Sequence, residues 1–288
     1  MLKTFLTAAF AAAALGCGPA MAQSTSPTLA KIKAAKTINV AYSPDSAPFS
    51  AVGAGTAPPQ GYSIELCKRA IAQIARAVGE PELNVNWLAG SVEQRLQMVA
   101  SGRAELECAN TTQTQSRLAS VDFSNLIFID GGGLLVKAGA PLNRIADLAG
   151  KRVAVLKGTT TEQRLQQLLK LRNVQATIVP IEDPAAGLSM LEAGNVDAYA
   201  GDKVKLTALA LSSRDPARLA LVAEDMSYEP YAFALPRNDS ALRLEVNRAL
   251  TRVYMDGEIE RIYAQWLGKL GQPSGLLAMM YLLNSIPD

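Results

Sequence analysis

A run of polar side chains between Glu107 and Arg117 has the composition of a site for a small zwitterion. Arg117 carries a planar, permanently charged guanidinium, whose geometry matches that of a carboxylate. Asn110 and Thr112 lie two residues apart, so on an extended backbone both side chains point the same way and can accept hydrogen bonds from an ammonium group. On composition alone, a polar surface loop is an equally good interpretation.

A second cluster of hydroxyl side chains follows a predicted strand in the later half of the chain. It begins after Gly158 and consists of Thr159, Thr160 and Thr161. Thr159 and Glu162 have the spacing of a capping box, which predicts the start of a helix. Such a start binds anions, because its free N–H groups and the positive end of the helix dipole face the same point. Taken alone, the motif predicts only a well-capped helix.

Two charged residues elsewhere each allow two interpretations. Asp202 ends a short strand and precedes a predicted helix at 203–211, so it is either an N-cap or a partner for an ammonium group. Arg95 lies in the first turns of a helix that starts with a Ser91/Gln94 capping box. It is either a surface residue whose stem covers apolar neighbours or a cation within a site.

The composition excludes several kinds of chemistry. The chain has 28 basic and 26 acidic residues and a net charge of +2, so we expect neither nucleic acid nor an anionic membrane as a partner. It contains no histidine, which excludes Ser-His-Asp and Cys-His catalysis and every histidine-based metal site. We expect no metal and no cofactor.

The N-terminus has the pattern of a secretory signal. Lys3 precedes an apolar, alanine-rich run from Thr4 to Leu15, and Ala20-Met21-Ala22 provides a cleavage site. We predict a signal peptide at residues 1–22, a mature chain that begins at Gln23, and a periplasmic protein. Cleavage before Cys17 as a lipoprotein is the second alternative. No later apolar run approaches the ~18 to 20 residues that are needed to span a bilayer.

Removal of this segment leaves two cysteines, Cys67 and Cys108. An oxidising compartment permits a disulfide between them. Their spacing does not show whether the two Cα atoms approach closely enough, so a pair of buried thiols is equally open.

Hydrophobic periodicity indicates the elements that would position these residues. Alternation predicts strands near 38–42, 83–87 and 176–180, and apolar spacings of three and four predict a helix from about Gly61 to Gly79. Strands that alternate with helices are typical of an α/β fold, in which ligands bind beyond the carboxyl ends of the strands.

Several motifs occur in one order that resembles a known family. They are Gly61-Tyr62-Ser63-Ile64-Glu65-Leu66, Asn110 to Arg117, Val121-Asp122-Phe123-Ser124, Asp147-Leu148-Ala149-Gly150-Lys151-Arg152-Val153, and Asp256-Gly257 to Trp266. Between about residues 37 and 268, the chain resembles the bacterial extracellular solute-binding proteins of family 3, the polar amino-acid-binding subunits of ABC importers. Its motifs are most similar to those of the glutamate/aspartate-binding members.

The resemblance implies a type II periplasmic binding protein fold. Two α/β lobes would be joined by two crossover strands, with the ligand cleft between the lobes. We place lobe 1 at residues 23–130 plus 226–268, lobe 2 at 131–225 and a C-terminal tail at 269–288. The first crossing is expected to bend at three successive glycines, 131–133. The apolar stretch 276–283 is expected to dock onto its own lobe, with a partner contact as the alternative.

The resemblance also implies a role for each candidate residue. Asp202 would pair with the α-ammonium of an amino acid, and Arg117 and the threonines 159–161 would hold its α-carboxylate. Arg95 and Ser43 would contact the ligand side chain. Members that bind acidic amino acids carry a second arginine at the position of Ser43 and a histidine at that of Pro184. Glutamate, aspartate and uncharged polar amino acids therefore all stay open as ligands.

The predicted function is capture of a polar amino acid and its delivery to the membrane permease of an ABC importer, by a protein that we expect to be a monomer and not an enzyme. The alternative is a periplasmic cyclohexadienyl dehydratase, an enzyme that shares this fold and also binds a carboxylate. It would need a positioned general acid. Asp202, Asp45 and Glu65 are nominal candidates, but no pattern distinguishes any of them from a binding or capping residue.

Overall fold

Helices and strands alternate along most of the chain, as predicted for an α/β protein. The structure is a computed structural model, and it describes residues 26–55 and 57–287. The predicted signal peptide and the alternative cleavage site at Cys17 lie outside the described residues.

The helices carry apolar residues at spacings of three and four, and the strands alternate or are wholly apolar. The helices are α1 (Pro27–Ala35), α2 (Tyr62–Val78), α3 (Val92–Ala100), α4 (Thr160–Leu171), α5 (Pro184–Ala193), α6 (Lys203–Ser212), α7 (Ser240–Met255), α8 (Glu258–Leu267) and α9 (Gly275–Leu283). The strands are β1 (Thr37–Tyr42), β2 (Asp45–Ser46), β3 (Ser50–Ala51), β4 (Asn84–Ala89), β5 (Leu106–Glu107), β6 (Asp122–Lys137), β7 (Arg152–Leu156), β8 (Thr177–Ile181), β9 (Ala198–Asp202), β10 (Leu219–Leu221) and β11 (Ser227–Leu235).

One sheet runs through both halves of the molecule in the order β4-β1-β5-β11-β6-β9-β7-β8, with β10 paired to β6. Strands β4, β1 and β5 are parallel in the first half, and β9, β7 and β8 are parallel in the second. The long strands β6 and β11 are antiparallel to each other and pass between the halves. These two strands are the crossovers.

Each half of the sheet has its own hydrophobic core. The first core includes Ile64, Leu106 and Phe233, together with side chains of α7, α8 and α9. The second includes Val155 and Leu165. Each core is covered mainly by helices of its own half, although Val204 of α6 packs against the first core. Separate cores of this kind are typical of lobes that move relative to each other.

The three glycines of the first crossover lie inside the continuous strand β6. A Cβ atom on Gly132 would lie 2.3 Å from Ser227 Oγ, and one on Gly133 would lie 2.8 Å from Lys203 Cγ. The sequence predicted a bend here. In this conformation the glycines instead allow the close approach of β11 and α6 to the crossover.

Cys67 and Cys108 form a disulfide, with their Cα atoms 5.9 Å apart. This outcome settles the alternative that the sequence left open. The bond joins α2 to the residue that follows β5, two positions before Asn110. It therefore anchors the start of the first polar segment to the core of the first half.

The apolar tail forms α9 and docks onto its own half through Leu277, Met280 and Tyr281. The Tyr281 and Tyr62 hydroxyl oxygens lie 2.8 Å apart, and Tyr62 donates to the carbonyl of Ile127 at 2.7 Å. Docking is therefore confirmed, although Leu276, Met279, Leu282 and Leu283 are exposed. Within the described part of the chain, no helix combines the length and the apolarity that crossing a membrane requires.

Candidate functional site

A cleft with a volume of about 430 Å³ separates the two halves at the carboxyl ends of their parallel strands. This volume is typical of small-molecule sites. Its lining residues follow β1, β5, β7, β8 and β9 or belong to the first turns of α3, α4 and α6. They are Ser43, Asp45, Ser46, Ser91, Val92, Glu93, Gln94, Arg95, Asn110, Thr111, Thr112, Arg117, Leu156, Lys157, Gly158, Thr159, Thr160, Glu182, Asp202 and Lys205.

The structure brings the two predicted polar clusters into contact across this cleft. Thr112 Oγ1 and Thr160 Oγ1, which come from opposite halves, lie 3.4 Å apart. Both hydroxyls donate to the same oxygen, Glu229 Oε2, at 2.6 Å and 2.8 Å. The cleft is therefore closed in this structure. The Glu229 carboxylate, on the second crossover strand β11, joins the two halves.

Glu229 was not predicted as a site residue. It is 1% exposed and also accepts a hydrogen bond from Ser227. The sequence contains one indication of it: Glu229 is an acidic residue inside β11, a strand whose other side chains are mostly apolar. A buried carboxylate needs several donors, and three hydroxyls supply them here.

Asp202 lies at the second contact between the halves. Asn110 Nδ2 donates to its Oδ2 at 3.2 Å, and Thr161 Oγ1 donates to its Oδ1 at 3.1 Å. Asp202 precedes α6 but makes no side-chain capping bond, so the capping alternative is wrong for its carboxylate. Thr161 is buried and does not line the cleft, and its hydroxyl contacts Asp202 instead.

Thr159 begins α4 as predicted. Its Oγ1 accepts from the Glu162 amide at 3.1 Å. The Glu162 carboxylate accepts from the amide of Gly158 at 2.7 Å rather than from that of Thr159, so half of the predicted capping box is absent. Thr159 and Thr160 line the cleft at the amino end of α4, where the helix dipole favours an anion.

Arg117 projects from a short 3₁₀ turn into the cleft. Its Nη1 donates to the carbonyl of Thr112 at 2.7 Å, which leaves other guanidinium N–H groups for a ligand. Burial lowers the pKa of Arg117 from its ordinary value, while the charges of Glu107 and Glu229 act in the opposite direction. The group stays cationic because an arginine pKa starts far above neutral.

Arg95 is buried, so the interpretation of it as a surface residue is wrong. Its Nε donates to Glu107 Oε1 at 2.7 Å, and its Nη1 donates to the carbonyl of Gly90 at 2.8 Å. Glu107 is itself fully buried and also accepts from Thr111 Oγ1 at 2.8 Å. Glu107 was not predicted as the partner of Arg95, because only the packing of α3 against β5, the strand that follows it, brings the two side chains together.

Ser43 lines the cleft together with Asp45 and Ser46, at the carboxyl end of β1. Its hydroxyl donates to Asp45 Oδ1 at 2.9 Å and lies 2.8 Å from Ser46 Oγ. Pro184 does not line the cleft, but Glu182, two residues earlier, does. This end therefore offers hydroxyls and exposed charges, in contrast to the buried pairs around Glu229 and Asp202.

A third buried acid, Asp130, lies on β6 beneath Asp202. Its Oδ2 accepts from the Val204 amide at 3.2 Å and from the Tyr231 hydroxyl at 3.3 Å. Burial raises the pKa of Asp130 to about 7, and the charge of Asp202 adds to this effect. Hydrogen bonds from Gly131, Val204 and Tyr231 act in the opposite direction. In the described residues, no group of three or more cysteine or acidic side chains is arranged to hold a metal ion.

Comparison with known proteins agrees with this geometry. A family model described as bacterial extracellular solute-binding proteins, family 3, matches residues 38–269. The chain is 31% identical over 264 residues to the L-glutamate/L-aspartate-binding protein of Pseudomonas aeruginosa, with 92% of this chain and 87% of that protein covered. It is 28% identical over 251 residues to a glutamine-binding protein of an ABC transporter from Bacillus subtilis, which covers 87% and 88% of the two chains.

The fold is shared with solved structures. The solute receptor for L-cysteine of Neisseria gonorrhoeae superimposes with a TM-score of 0.73 at 25% identity, over 85% of this chain and 97% of that chain. The predicted two-lobed fold class is thus confirmed. The similar proteins are named for binding solutes, so the dehydratase alternative is not favoured. The chain belongs to the bacterial extracellular solute-binding proteins of family 3, and it is a binding protein rather than an enzyme.

Proposed function

We propose that the protein captures a polar amino acid in the cleft between its lobes and delivers it to the membrane permease of an ABC importer. The observation that carries this proposal is the junction at Glu229, where Thr112 of one lobe and Thr160 of the other donate to one carboxylate. A ligand that fills such a cleft contacts both lobes only when the cleft is closed. Binding therefore favours the closed form.

Each end of an amino acid backbone has a suitable partner. Arg117 and the amino end of α4 would hold the α-carboxylate, because both present N–H donors and positive charge to the cleft. Asp202 would accept from the α-ammonium, and Thr161 and Asn110 hold its two oxygens in place for this contact. Arg95 and Ser43 would contact the ligand side chain from lobe 1.

We propose that residues 23–130 and 226–268 form lobe 1 and residues 131–225 form lobe 2. The two separate hydrophobic cores support this division. We also propose export through a cleaved signal at residues 1–22 and a monomeric mature protein. The disulfide is compatible with an oxidising compartment.

The test is calorimetry on the mature protein, which is unfolded and refolded to remove carried-over ligand, against each of the twenty L-amino acids. We expect one-to-one binding of one or a few polar amino acids. Thr160→Val should weaken that binding about tenfold, because it removes one hydroxyl from the junction between the lobes. Thr177→Val, on an exposed position of β8, serves as the matched control.

Two results would contradict the proposal. The first is a folded protein that binds none of the amino acids. The second is binding that Thr160→Val and Thr177→Val leave equally unchanged, because the ligand would then lie outside the interlobe cleft.

A further inference from the structure

Four basic side chains line the cleft, and three of them already have a partner or a role. Arg95 is paired with Glu107 at 2.7 Å. Arg117 faces the threonine segments as the proposed partner of the α-carboxylate. Lys157 is 68% exposed and lies 4.0 Å from Glu182.

Lys205 is the fourth, and among the described residues it has no salt-bridge partner. Within the described part of the chain, no carboxylate oxygen lies within 4.0 Å of its ammonium group. The side chain is only partly exposed, and it lines both the cleft and a small adjoining cavity that includes Leu156 and Tyr199. A partly buried cation without a counter-ion raises the affinity of its surroundings for an anion.

The neighbouring lysine on the same helix behaves differently. Lys203 pairs with Asp225 and donates to the carbonyl of Ala223, and it does not line the cleft. Lys205 is therefore the lysine of α6 that faces the ligand space. It follows Asp202, the extended residue that precedes α6, by three positions, and both residues line the cleft and the small adjoining cavity.

The acidic side chains at this end of the cleft already have partners. Asp45 accepts from Ser43 at 2.9 Å, and Glu182 is the acid near Lys157. Because Asp202 and Lys205 line the same cleft, an amino acid whose ammonium lies at Asp202 would have Lys205 available to its side chain. A second carboxylate at that point would complete the ion pair that the protein itself lacks.

We propose that Lys205 is the residue that selects the ligand side chain, and that the site takes a dicarboxylic amino acid whose second carboxylate pairs with Lys205. This inference rests on the proposed function, since it names the substrate class of the same cleft. Lys205 discriminates between acid and amide because only the acid gains an ion pair in the partly desolvated cleft.

The test compares L-glutamate and L-aspartate with L-glutamine and L-asparagine by calorimetry on the refolded mature protein. We expect the wild type to bind at least one acid at least tenfold more tightly than its amide. Lys205→Met should weaken binding of that acid about tenfold to a hundredfold and change amide binding less than about threefold. Lys205→Arg should retain the preference for the acid. Lys170→Met, an exposed lysine on α4, makes the same change of net charge outside the cleft and should have no effect.

The ratio of acid to amide affinity is the decisive quantity, because it does not depend on the fraction of folded variant. The inference is overturned if the wild type binds an amide, or another amino acid without a second carboxylate, as tightly as either acid. It is also overturned if Lys205→Met weakens acid and amide equally or weakens neither. Those outcomes leave the proposed function intact, whereas a wild type that binds no amino acid overturns the proposed function and this inference together.

Discussion

The two ends of the cleft are built in different ways. At the end nearest Glu229 and Asp202, the polar groups are buried or half-buried and bonded to one another across the lobes. At the end nearest Ser43, they are two buried hydroxyls and the exposed acids Asp45 and Glu182. The first end contains residues of the family's motifs, and the second contains residues that depart from them.

This difference indicates that the first end provides affinity for any amino acid and that the second end selects among amino acids. Groups that are held in place by buried hydrogen bonds lose little conformational entropy when a ligand arrives, so they suit the backbone atoms that every amino acid shares. At the other end, the hydroxyl of Ser43 contacts only Asp45 and Ser46 of its own lobe, so changing it does not disturb the contact between the lobes. We expect substitutions at the first end to weaken all ligands alike, and substitutions at the second to change their order.

The largest expected effect is on the free energy of unfolding, through the Cys67–Cys108 disulfide that anchors the segment before Asn110. The double substitution Cys67→Ala/Cys108→Ala should lower the free energy of unfolding by about 4 kcal/mol, since the bond closes a loop with a sequence separation of 41 residues. Denaturant unfolding measures it, and reduced wild type is the control. If the loss is below about 1 kcal/mol, the disulfide does not stabilise the segment that carries Asn110.

Arg117→Ala should cost about 2–4 kcal/mol of binding free energy for every ligand, since a charge-assisted contact in a closed cleft is lost. Calorimetry with several amino acids measures the effect, and Arg103→Ala, an exposed arginine, is the control. If Arg117→Ala weakened one ligand and spared others, Arg117 would belong to the selective end, and the comparison would fail.

Asp130 makes the free energy of unfolding of the protein depend on pH. Its pKa is raised to about 7, so the folded state holds a proton that the unfolded state releases above about pH 4. The stability linked to this proton is fully present below pH 4 and is lost as pH rises through 7. Asp130→Asn should therefore gain stability relative to wild type over this range, by on the order of 1–3 kcal/mol. Urea unfolding at intervals from pH 4 to pH 8 measures the difference between the two proteins. A constant difference would show that Asp130 is ionised throughout.

Ser43→Ala should have the smallest effect, below about 1 kcal/mol, because it removes one neutral hydroxyl whose partners, Asp45 and Ser46, lie in the same lobe. The measured quantity is the ratio of affinities between two ligands, for example glutamate and glutamine. That ratio should change even where the average affinity does not. Equal weakening of all ligands would place Ser43 with the first end.

Much of the fold could be predicted from local pattern. Helix α2 was expected from about Gly61 to Gly79 and spans Tyr62–Val78, where Gly79 adopts the left-handed conformation that ends it. The predicted strands lie within two residues of β1, β4 and β8. Periodicity and capping depend on neighbours in the chain, so one sequence contains that information.

Of the predicted cleft residues, Ser43, Arg95, Asn110, Thr112, Arg117, Thr159, Thr160 and Asp202 line one cavity, and Thr161 lies behind Asp202. Their motifs made these positions recognisable because each follows the end of a strand or begins a helix. Their roles in binding stay predictions.

By itself, the sequence determined the element boundaries, the α/β class, the absence of histidine chemistry and the polar segments at strand ends, because these depend on composition and short-range spacing. Only the tertiary structure decided which charges are paired. Glu107 balances Arg95, Glu229 joins Thr112 to Thr160, Asp130 lies under Asp202, and Lys205 forms no salt bridge in the part of the chain that the structure describes. The physical reason is that electrostatic energy depends on distance and burial in space, and long-range packing brings these residues together.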